Sequence, residues 1–179
     1  LVAPHGIRKG LLGYIEGEID NHRKGLASGI KIKVNSIVDE AIIDALYRAS
    51  QAGVPVDMWV RGICTIRPGV PGLSENIRVR SVLGRFLEHS RLYWFAGGGR
   101  PVVGIGSADL MHRNLDRRVE AIVSLTKPAH IRQVEELFDM AFAPTTVHWE
   151  LHDSTWSAHT TDDEGQPLTD IQEWLIQQT

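Results

Sequence analysis

Three observations predict a single globular domain with an α/β fold, in which helices flank a mixed β-sheet. Segments with strand-like alternation and segments with a 3.6-residue apolar period follow one another along the chain, which is typical of helices packed on one sheet. The length of 179 residues suits a single domain. The composition, 42% hydrophobic and 23% charged, is that of a globular protein and excludes a disordered or fibrous chain.

The first third of the chain predicts two helices that alternate with two strands. Apolar residues spaced as Ile7, Leu11 and Ile15 lie on one face of the first helix. Ser36 is the expected N-cap of the second helix, and Asp39, three residues on, is its weak capping partner. The predicted helices cover 6–28 and 36–52, and the predicted strands cover 29–34 and 54–60.

The rest of the chain predicts turns, further strands and two helices. Residues 62–76 are rich in Pro-Gly turns. Ala96–Gly99 is predicted to join two strands as a hairpin, and the polar stretch 154–167 is predicted to be a loop. The predicted strands are 78–83 (or irregular), 89–95, 101–106, 119–124 and 147–151, and the predicted helices are 128–142 and 169–178.

Several protein classes are excluded by what the chain lacks. It has one cysteine, Cys64, so no internal disulfide framework forms, and a structural zinc site is disfavoured. No apolar run approaches the length of a membrane helix, and no signal peptide is visible, so we expect a cytoplasmic protein. The chain begins with Leu1 rather than Met, and we therefore expect a fragment of a longer protein.

The charge is distributed unevenly. Residues 1–120 carry 17 basic and 12 acidic side chains, whereas residues 121–179 carry 2 and 10. Between Arg61 and Arg118 all ten basic side chains are arginine. Arginine presents a planar set of donors that matches phosphate oxygens two at a time, so this segment favours a polyanionic ligand. A salt-bridged surface is the competing interpretation.

Two short motifs carry the strongest chemical signal. The first is His89-Ser90-Arg91, and the second is Gly106-Ser107-Ala108-Asp109. A lone histidine is more often a satisfied structural residue, and a Gly-Ser pair is usually a turn. Together and in this order they resemble half of a phospholipase-D-like active site, whose motif is His-x-Lys followed by Gly-Ser-x-Asn. The chain departs from that motif at Arg91 and Asp109.

Longer blocks point to a narrower family and cover about residues 1–125. In this order and spacing they resemble the bacterial polyphosphate kinases of the phospholipase-D-like type. The final 50 or so residues carry no recognised motif. The blocks are Lys33–Asp39, Tyr47–Val54, Val60–Cys64, Arg67–Ile77, Gly84–Arg91, Ile105–Asp109 and Asn114–Arg118.

The resemblance implies a phospholipase-D-like domain at the C-terminal end of a longer polyphosphate kinase. Residues 1–179 would be this domain, with a core over 1–143 and a C-terminal extension over 144–179. The family transfers the γ-phosphoryl group of ATP reversibly to polyphosphate through a phosphohistidine of the preceding catalytic domain. The chain would therefore hold half of an active site and would be inactive alone.

The resemblance also assigns site residues. The family's ATP-contacting positions in this half carry over to Arg61 and to His89, which is also the candidate catalytic residue. Arg118 and Arg113 are further candidates for phosphate contacts, and ion pairing with nearby carboxylates is about as plausible for them. A nucleophilic role for His89 is a minority alternative.

Other residues are expected to support this site. Arg91, Ser107 and Asp109 belong to the motif, and Ser107 is expected to orient its neighbours rather than to attack. Lys33 and Asn35 lie where a strand leads into a helix N-terminus, which is a natural anion site. Sheet solubility and helix capping explain this pair slightly better.

The implied ligands are ATP or ADP and polyphosphate, with Mg²⁺ held by the missing domain and no metal ligands in this chain. The implied partners are the preceding catalytic domain and other subunits of a homo-oligomer, without nucleic acid or a transmembrane segment. The full-length protein would be cytoplasmic, with membrane association open. A phospholipase-D-like phosphodiesterase half-site and a mainly structural oligomerisation domain stay as alternatives.

Overall fold

The computed structural model describes residues 1–178. The helices are α1 (Ile7–Arg23), α2 (Glu40–Gln51), α3 (Pro128–Ala141) and α4 (Ile171–Gln177). The strands are β1 (Ile30–Val34), β2 (Val56–Val60), β3 (Ile77–Ser81), β4 (Arg91–Phe95), β5 (Val102–Gly106), β6 (Ile122–Ser124), β7 (His148–His152) and β8 (Thr155–His159). A π-helical turn spans Arg113–Arg117.

These eight strands form one sheet in the order β6-β5-β4-β1-β2-β3-β7-β8. β1, β2 and β3 run parallel to one another, and the remaining neighbours pair antiparallel. The sheet is therefore mixed and open, with helices beside it. The fold class predicted from the sequence is confirmed.

Successive side chains of the central strands enter two different cores. Met58 and Val60 of β2 belong to the larger cluster, which also contains the apolar stripes of α1 and α2. Trp59 points to the opposite side and packs in a second cluster with Phe138 of α3 and Ile171 of α4. Both faces of the sheet are thus covered, which explains the nearly continuous apolar character of its central strands.

The second helix begins later than the sequence predicts. Its N-cap is Asp39, whose carboxylate accepts the backbone N–H of Ile42 at 3.1 Å. The Ser36 carbonyl instead accepts the N–H of Leu110 at 3.1 Å. Asp39 also receives a hydrogen bond of 2.7 Å from Arg8, so it is held at this position from both sides. The prediction of Ser36 as the N-cap is wrong.

The stretch 154–167 is not a loop throughout, so that prediction is also wrong. It contains β8, which pairs along its whole length with β7. Most β8 side chains are exposed, so burial leaves no apolar pattern in the sequence. Backbone hydrogen bonds to β7 define this strand, and those depend on a partner rather than on local composition.

The remaining elements agree more closely with the sequence. The hairpin of β4 and β5 is confirmed, although β4 begins at Arg91, so that His89 lies in the segment before it. The N-cap of α4 is Asp170, which accepts N–H groups of Gln172 and Glu173. Within residues 1–178, no helix has both the length and the apolar character needed to cross a membrane.

Candidate functional site

The candidate residues meet at one edge of the sheet, called the site edge below. It is formed by the segments that follow β1, β2 and β5 and by the segment that precedes β4. Two isolated bridges hold the three following segments side by side, from Ile37 to Cys64 and from Ile37 to Leu110. The parallel run of β1 and β2, and the antiparallel turn from β4 to β5, bring these chain ends together.

Arg91 and Asp109, the two departures from the broader motif, pair with each other. The Arg91 guanidinium donates from Nε at 3.2 Å and from Nη2 at 2.9 Å to the two carboxylate oxygens of Asp109. Their side chains are only 10% and 11% exposed. A replacement of Lys by Arg and of Asn by Asp thus creates a two-pronged, nearly buried ion pair.

Asp109 is also bound by the backbone that follows β1. Its Oδ1 accepts the N–H of Asn35 at 2.7 Å. Burial by itself would raise the pKa of the Asp109 carboxyl, but the hydrogen bonds from Arg91 and Asn35 outweigh it and hold that pKa below its usual value. Asp109 is therefore a fixed anion that joins the end of β1 to the start of β4.

His89 is exposed and is oriented by Arg91. Nη1 of Arg91 donates to the His89 carbonyl at 2.6 Å and to the ring Nδ1 at 2.8 Å. A guanidinium can only donate, so Nδ1 acts as the acceptor and the neutral ring carries its proton on Nε2. That assignment makes Nε2–H a hydrogen-bond donor toward solvent or a ligand.

Arg61 is half-buried at the end of β2. Its Nε donates to Oδ1 of Asn35 at 2.8 Å, and Asn35 Nδ2 lies 3.5 Å from Asp109. Neither terminal nitrogen of the Arg61 fork has a partner among residues 1–178. A Cβ at Gly62 would lie 2.9 Å from the Asn35 carbonyl oxygen, so this close approach of β1 and β2 needs glycine.

These contacts make one continuous chain of hydrogen bonds. It runs from Arg61 through Asn35, Asp109 and Arg91 to His89. Four of these five side chains were candidate site residues in the sequence. The sequence indicates Asn35 only as a candidate for an anion site or a helix cap, whereas in the structure its side chain links Arg61 to Asp109.

Ser107 and Arg118 belong to a neighbouring group around Glu120. The Ser107 hydroxyl donates to the Glu120 carboxylate, which also accepts Asn114 Nδ2 at 2.9 Å. Arg118 lies 4.0 Å from the same carboxylate and is 53% exposed. Ser107 is thus occupied with a structural carboxylate, and Arg118 keeps most of its guanidinium in solvent.

Arg113 stands apart from both groups. Asp116, a carboxylate three positions along the chain, is bound by Arg8 and His112 and not by Arg113. Arg8 lowers the pKa of Asp116 to about 2. Within residues 1–178, Arg113 and Arg117 have no ion pair, so no neighbouring carboxylate offsets the charge of these exposed guanidinium groups.

Lys33 does not lie at an open anion site before the helix, which is one of the roles that its sequence position suggests. Its side chain is buried, and Nζ lies 3.0 Å from Glu88 Oε2 and 2.7 Å from the Ser90 hydroxyl. The ammonium also sits 4.6 Å from the centre of the Trp59 ring. Burial lowers the pKa of Lys33. This lysine is paired beneath the His89 segment and is not an open anion site.

Gln172, which sequence reasoning missed, joins the C-terminal helix to the segment that leads to His89. Gln172 of α4 accepts the N–H of Phe86 at 2.7 Å and donates to the Phe86 carbonyl at 2.9 Å and to Glu88 at 2.7 Å. No local pattern marks Gln172, because its partners lie 84 and 86 positions earlier. The C-terminal residues therefore hold the loop that leads to His89.

The carboxylates of the site edge do not fit a Mg²⁺ site. Asp109, Glu120 and Glu88 are each bound by a basic or amide side chain. Mg²⁺ prefers one or two free carboxylates with several waters in near-octahedral geometry. Over residues 1–178, the metal-ligand cluster found lies elsewhere and contains two histidines.

Comparison with known proteins decides the family. The family model described as polyphosphate kinase C-terminal domain 2 matches residues 1–170. The chain belongs to this family. Polyphosphate kinases from Streptomyces coelicolor and Mycobacterium avium are 61% and 52% identical over 177 and 178 residues. Those matches cover 98% and 99% of the chain but only 24% of each relative, so the chain spans about a quarter of their length.

Solved structures support the family and its broader fold. A crystal structure of polyphosphate kinase from Porphyromonas gingivalis matches with a TM-score of 0.89 and 33% identity, over 99% of this chain and 28% of that one. NucT from Helicobacter pylori matches at 0.57 and 15% identity, over 79% of this chain and 92% of that one. Nuc from Salmonella typhimurium, a phospholipase D family member, matches at 0.55 and 18% identity, over 79% of this chain and 90% of that one. At these identities NucT and Nuc show a shared fold alone. The resemblance drawn from the motif blocks is confirmed.

Proposed function

We propose that this polyphosphate kinase domain is one half of an ATP:polyphosphate phosphotransferase site. The observation that carries the proposal is the hydrogen-bonded chain from Arg61 to His89, which ends on a free guanidinium fork at one side and a ring N–H at the other. Transfer of a phosphoryl group relies mainly on positioning and on stabilising the charge of its oxygens. Two donors oriented by hydrogen bonds at the site edge suit that task.

Each residue has a distinct role in this proposal. Arg61 binds phosphate oxygens of ATP through its two terminal nitrogens. His89 donates from Nε2 to the phosphoryl group under transfer. Arg91 and Asp109 are positioning residues. Arg91 orients the His89 ring, and Asp109 binds Arg91 and the backbone at the end of β1. Arg118 gives the growing polyphosphate a further contact.

Arg113 extends the basic surface available to polyphosphate. It carries an unpaired charge, and Arg117 of the same π-helical turn does so too. A polyanion binds such a surface by many contacts that salt weakens.

The His89 environment supports a donor rather than a nucleophile. A nucleophilic imidazole needs its lone pair on the attacking nitrogen. Arg91 donates to Nδ1, which places the ring proton on Nε2, the nitrogen left for a ligand. The phosphohistidine is therefore proposed to come from the preceding catalytic domain, together with the residues that hold Mg²⁺.

Exposed apolar side chains support a partner domain over this edge. Ile63 follows Arg61 closely and is 57% exposed, Leu87 precedes His89 and is 72% exposed, and Val119 follows Arg118 and is 88% exposed. Large apolar groups around a polar site favour cover by another protein surface. The rest of the longer polyphosphate kinase is the proposed cover, and a homo-oligomer is compatible with it.

Calorimetric titration of the 179-residue chain with MgATP and with long-chain polyphosphate tests the proposal. Arg61→Ala and His89→Ala are the test variants. Arg132→Ala is the matched control, because Arg132 is exposed on α3, a helix that contributes no residue to the site edge. We expect binding that weakens with salt, falls in both test variants and persists in the control.

Other outcomes would change the proposal. Equal loss of binding in all three variants would mean non-specific attraction of a polyanion and would refute the site. No binding by folded wild-type chain, with activity of the full-length enzyme unchanged by Arg61→Ala, would refute the role of Arg61. Hydrolysis of a simple phosphodiester by the chain alone would favour the phosphodiesterase alternative.

A further inference from the structure

Two histidines and a glutamate converge on the hairpin formed by β7 and β8. His148 and His159 are direct partners in the antiparallel register. Their rings stack with centroids 4.8 Å apart and planes within 8° of each other. Glu150 lies two positions after His148 and therefore on the same face of β7. Ligand atoms of all three side chains lie within 4.8 Å of one another.

The His148 ring has one nitrogen prepared for a ligand. Its Nδ1 lies 2.6 Å from the Thr146 carbonyl oxygen, which can only accept, so Nδ1 carries the ring proton. Nε2 then has a free lone pair. That nitrogen is buried and has no hydrogen-bond partner, and the side chain is 4% exposed. Histidine ligands of metals are commonly held by such a hydrogen bond on the other nitrogen.

The neighbour of this lone pair is another acceptor. Glu150 Oε2 lies 3.9 Å from His148 Nε2. Two acceptors that face each other inside a protein repel unless a proton or a cation lies between them. The other carboxylate oxygen of Glu150 is 3.4 Å from Arg80 Nε, which orients the carboxylate and opposes a cation in part. Asp162 and Asp163 line the same cleft as the two histidines.

We infer that His148, Glu150 and His159 bind one divalent transition-metal ion, and that zinc is the ion their donors suit best. Two imidazoles with one carboxylate form a common zinc ligand set, with the fourth position left to water. Zinc–ligand distances are about 2.0–2.2 Å, so the donor atoms must come closer together than they are here. The His159 ring must also turn out of its parallel stack with His148 so that its lone pair points at the ion. The exposed His159 side chain is free to make that movement.

The ion would tie the outermost strand of the sheet to its neighbour. β8 is an edge strand with mostly exposed side chains, and little burial holds it. A bond from His148 on β7 through the metal to His159 closes the hairpin at the end away from its turn. The sequence disfavours a structural zinc site because the chain has one cysteine, and the family resemblance implies no metal ligands in this chain. Neither expectation takes account of two histidines brought together by strand pairing.

Metal titration of the full 179-residue chain, freed of metal by chelator, tests the inference. Zn²⁺ is titrated by calorimetry, and Co²⁺ is used as a spectroscopic probe of coordination. We expect one high-affinity Zn²⁺ per chain, visible Co²⁺ absorption typical of four ligands, and a rise in the unfolding temperature with Zn²⁺. His159→Ala should lose at least about tenfold in affinity, since even loss of an outer-sphere partner costs that much.

Glu150→Gln and His152→Ala complete the set of variants. Glu150→Gln keeps the size of the side chain and should weaken Zn²⁺ binding. His152 is an exposed histidine at the opposite end of β7, so His152→Ala should leave binding unchanged. Absence of stoichiometric binding by the folded wild type would overturn the inference. Retention of wild-type affinity by His159→Ala, or an equal loss in His152→Ala, would overturn it too.

Discussion

The Arg91–Asp109 pair should be strongly coupled, and a double-mutant cycle measures the coupling. Asp109→Asn keeps an oxygen for the Asn35 N–H but leaves the Arg91 charge without its counter-ion. Arg91→Met leaves the Asp109 carboxylate with N–H donors, including the backbone and side chain of Asn35, but without a counter-ion. The double variant removes both charges, so it leaves no buried charge without a counter-ion, which is the largest source of instability in each single variant.

The magnitude follows from burial and from the number of hydrogen bonds. Both side chains are about one-tenth exposed, so solvent screens the pair little. Removal of one partner of a buried ion pair costs about 3–5 kcal/mol of unfolding free energy. Two charge-assisted hydrogen bonds join the groups. We therefore expect the double variant to be more stable than the sum of the single effects by about 2–3 kcal/mol.

Urea unfolding at pH 7, followed by the fluorescence of the five tryptophans, gives the four free energies of the cycle. Additive single effects, within about 0.5 kcal/mol, would refute the reasoning. Such a result would mean that the pair contributes no more than two independent polar groups. Arg132→Met, at an exposed arginine on α3, is a control for loss of positive charge and should change stability little.

The same pair predicts a dependence on pH. The Asp109 pKa is lowered in the folded state, so its stabilisation is fully present above the unfolded-state pKa of about 3.9. That stabilisation is lost as the pH falls through the folded-state value. The wild type should therefore lose more stability than Asp109→Asn as the pH falls below about 4. Parallel acid unfolding curves would contradict the assignment.

Two further predictions concern the Gln172 clamp and the single thiol. Gln172→Ala removes three hydrogen bonds to the segment before His89. It should speed the amide hydrogen exchange of Phe86 and lower the unfolding free energy by about 1–3 kcal/mol. An unchanged exchange rate at Phe86 would show that Gln172 does not order this loop. Burial raises the pKa of the Cys64 thiol to about 11, so little of the reactive thiolate is present at pH 8 in the folded chain. A disulfide reagent should therefore label Cys64 far more slowly in the folded chain than in urea. Equal labelling rates would contradict this prediction.

Much of the candidate site could be predicted because its residues lie in contiguous motifs. Arg61, His89, Arg91 and Asp109 each stand in a block that resembles a family motif, and that resemblance assigns them to the site. The structure joins these four side chains through Asn35. Lys33 shows the limit of such reasoning, because a lysine at the end of a strand gives no sign that Glu88 and Trp59 enclose it.

The sequence by itself determined the type of most elements, the family and the positions of the motif residues. The element types depend on apolar periodicity and on neighbours within a few positions, and the family and the motif positions follow from the resemblance of contiguous sequence blocks to known polyphosphate kinases. Only the tertiary structure decided that β8 forms, that α4 holds the loop before His89, and that His148 meets His159. Each of these depends on a partner chosen through backbone hydrogen bonding or burial elsewhere in the chain, which no local pattern records.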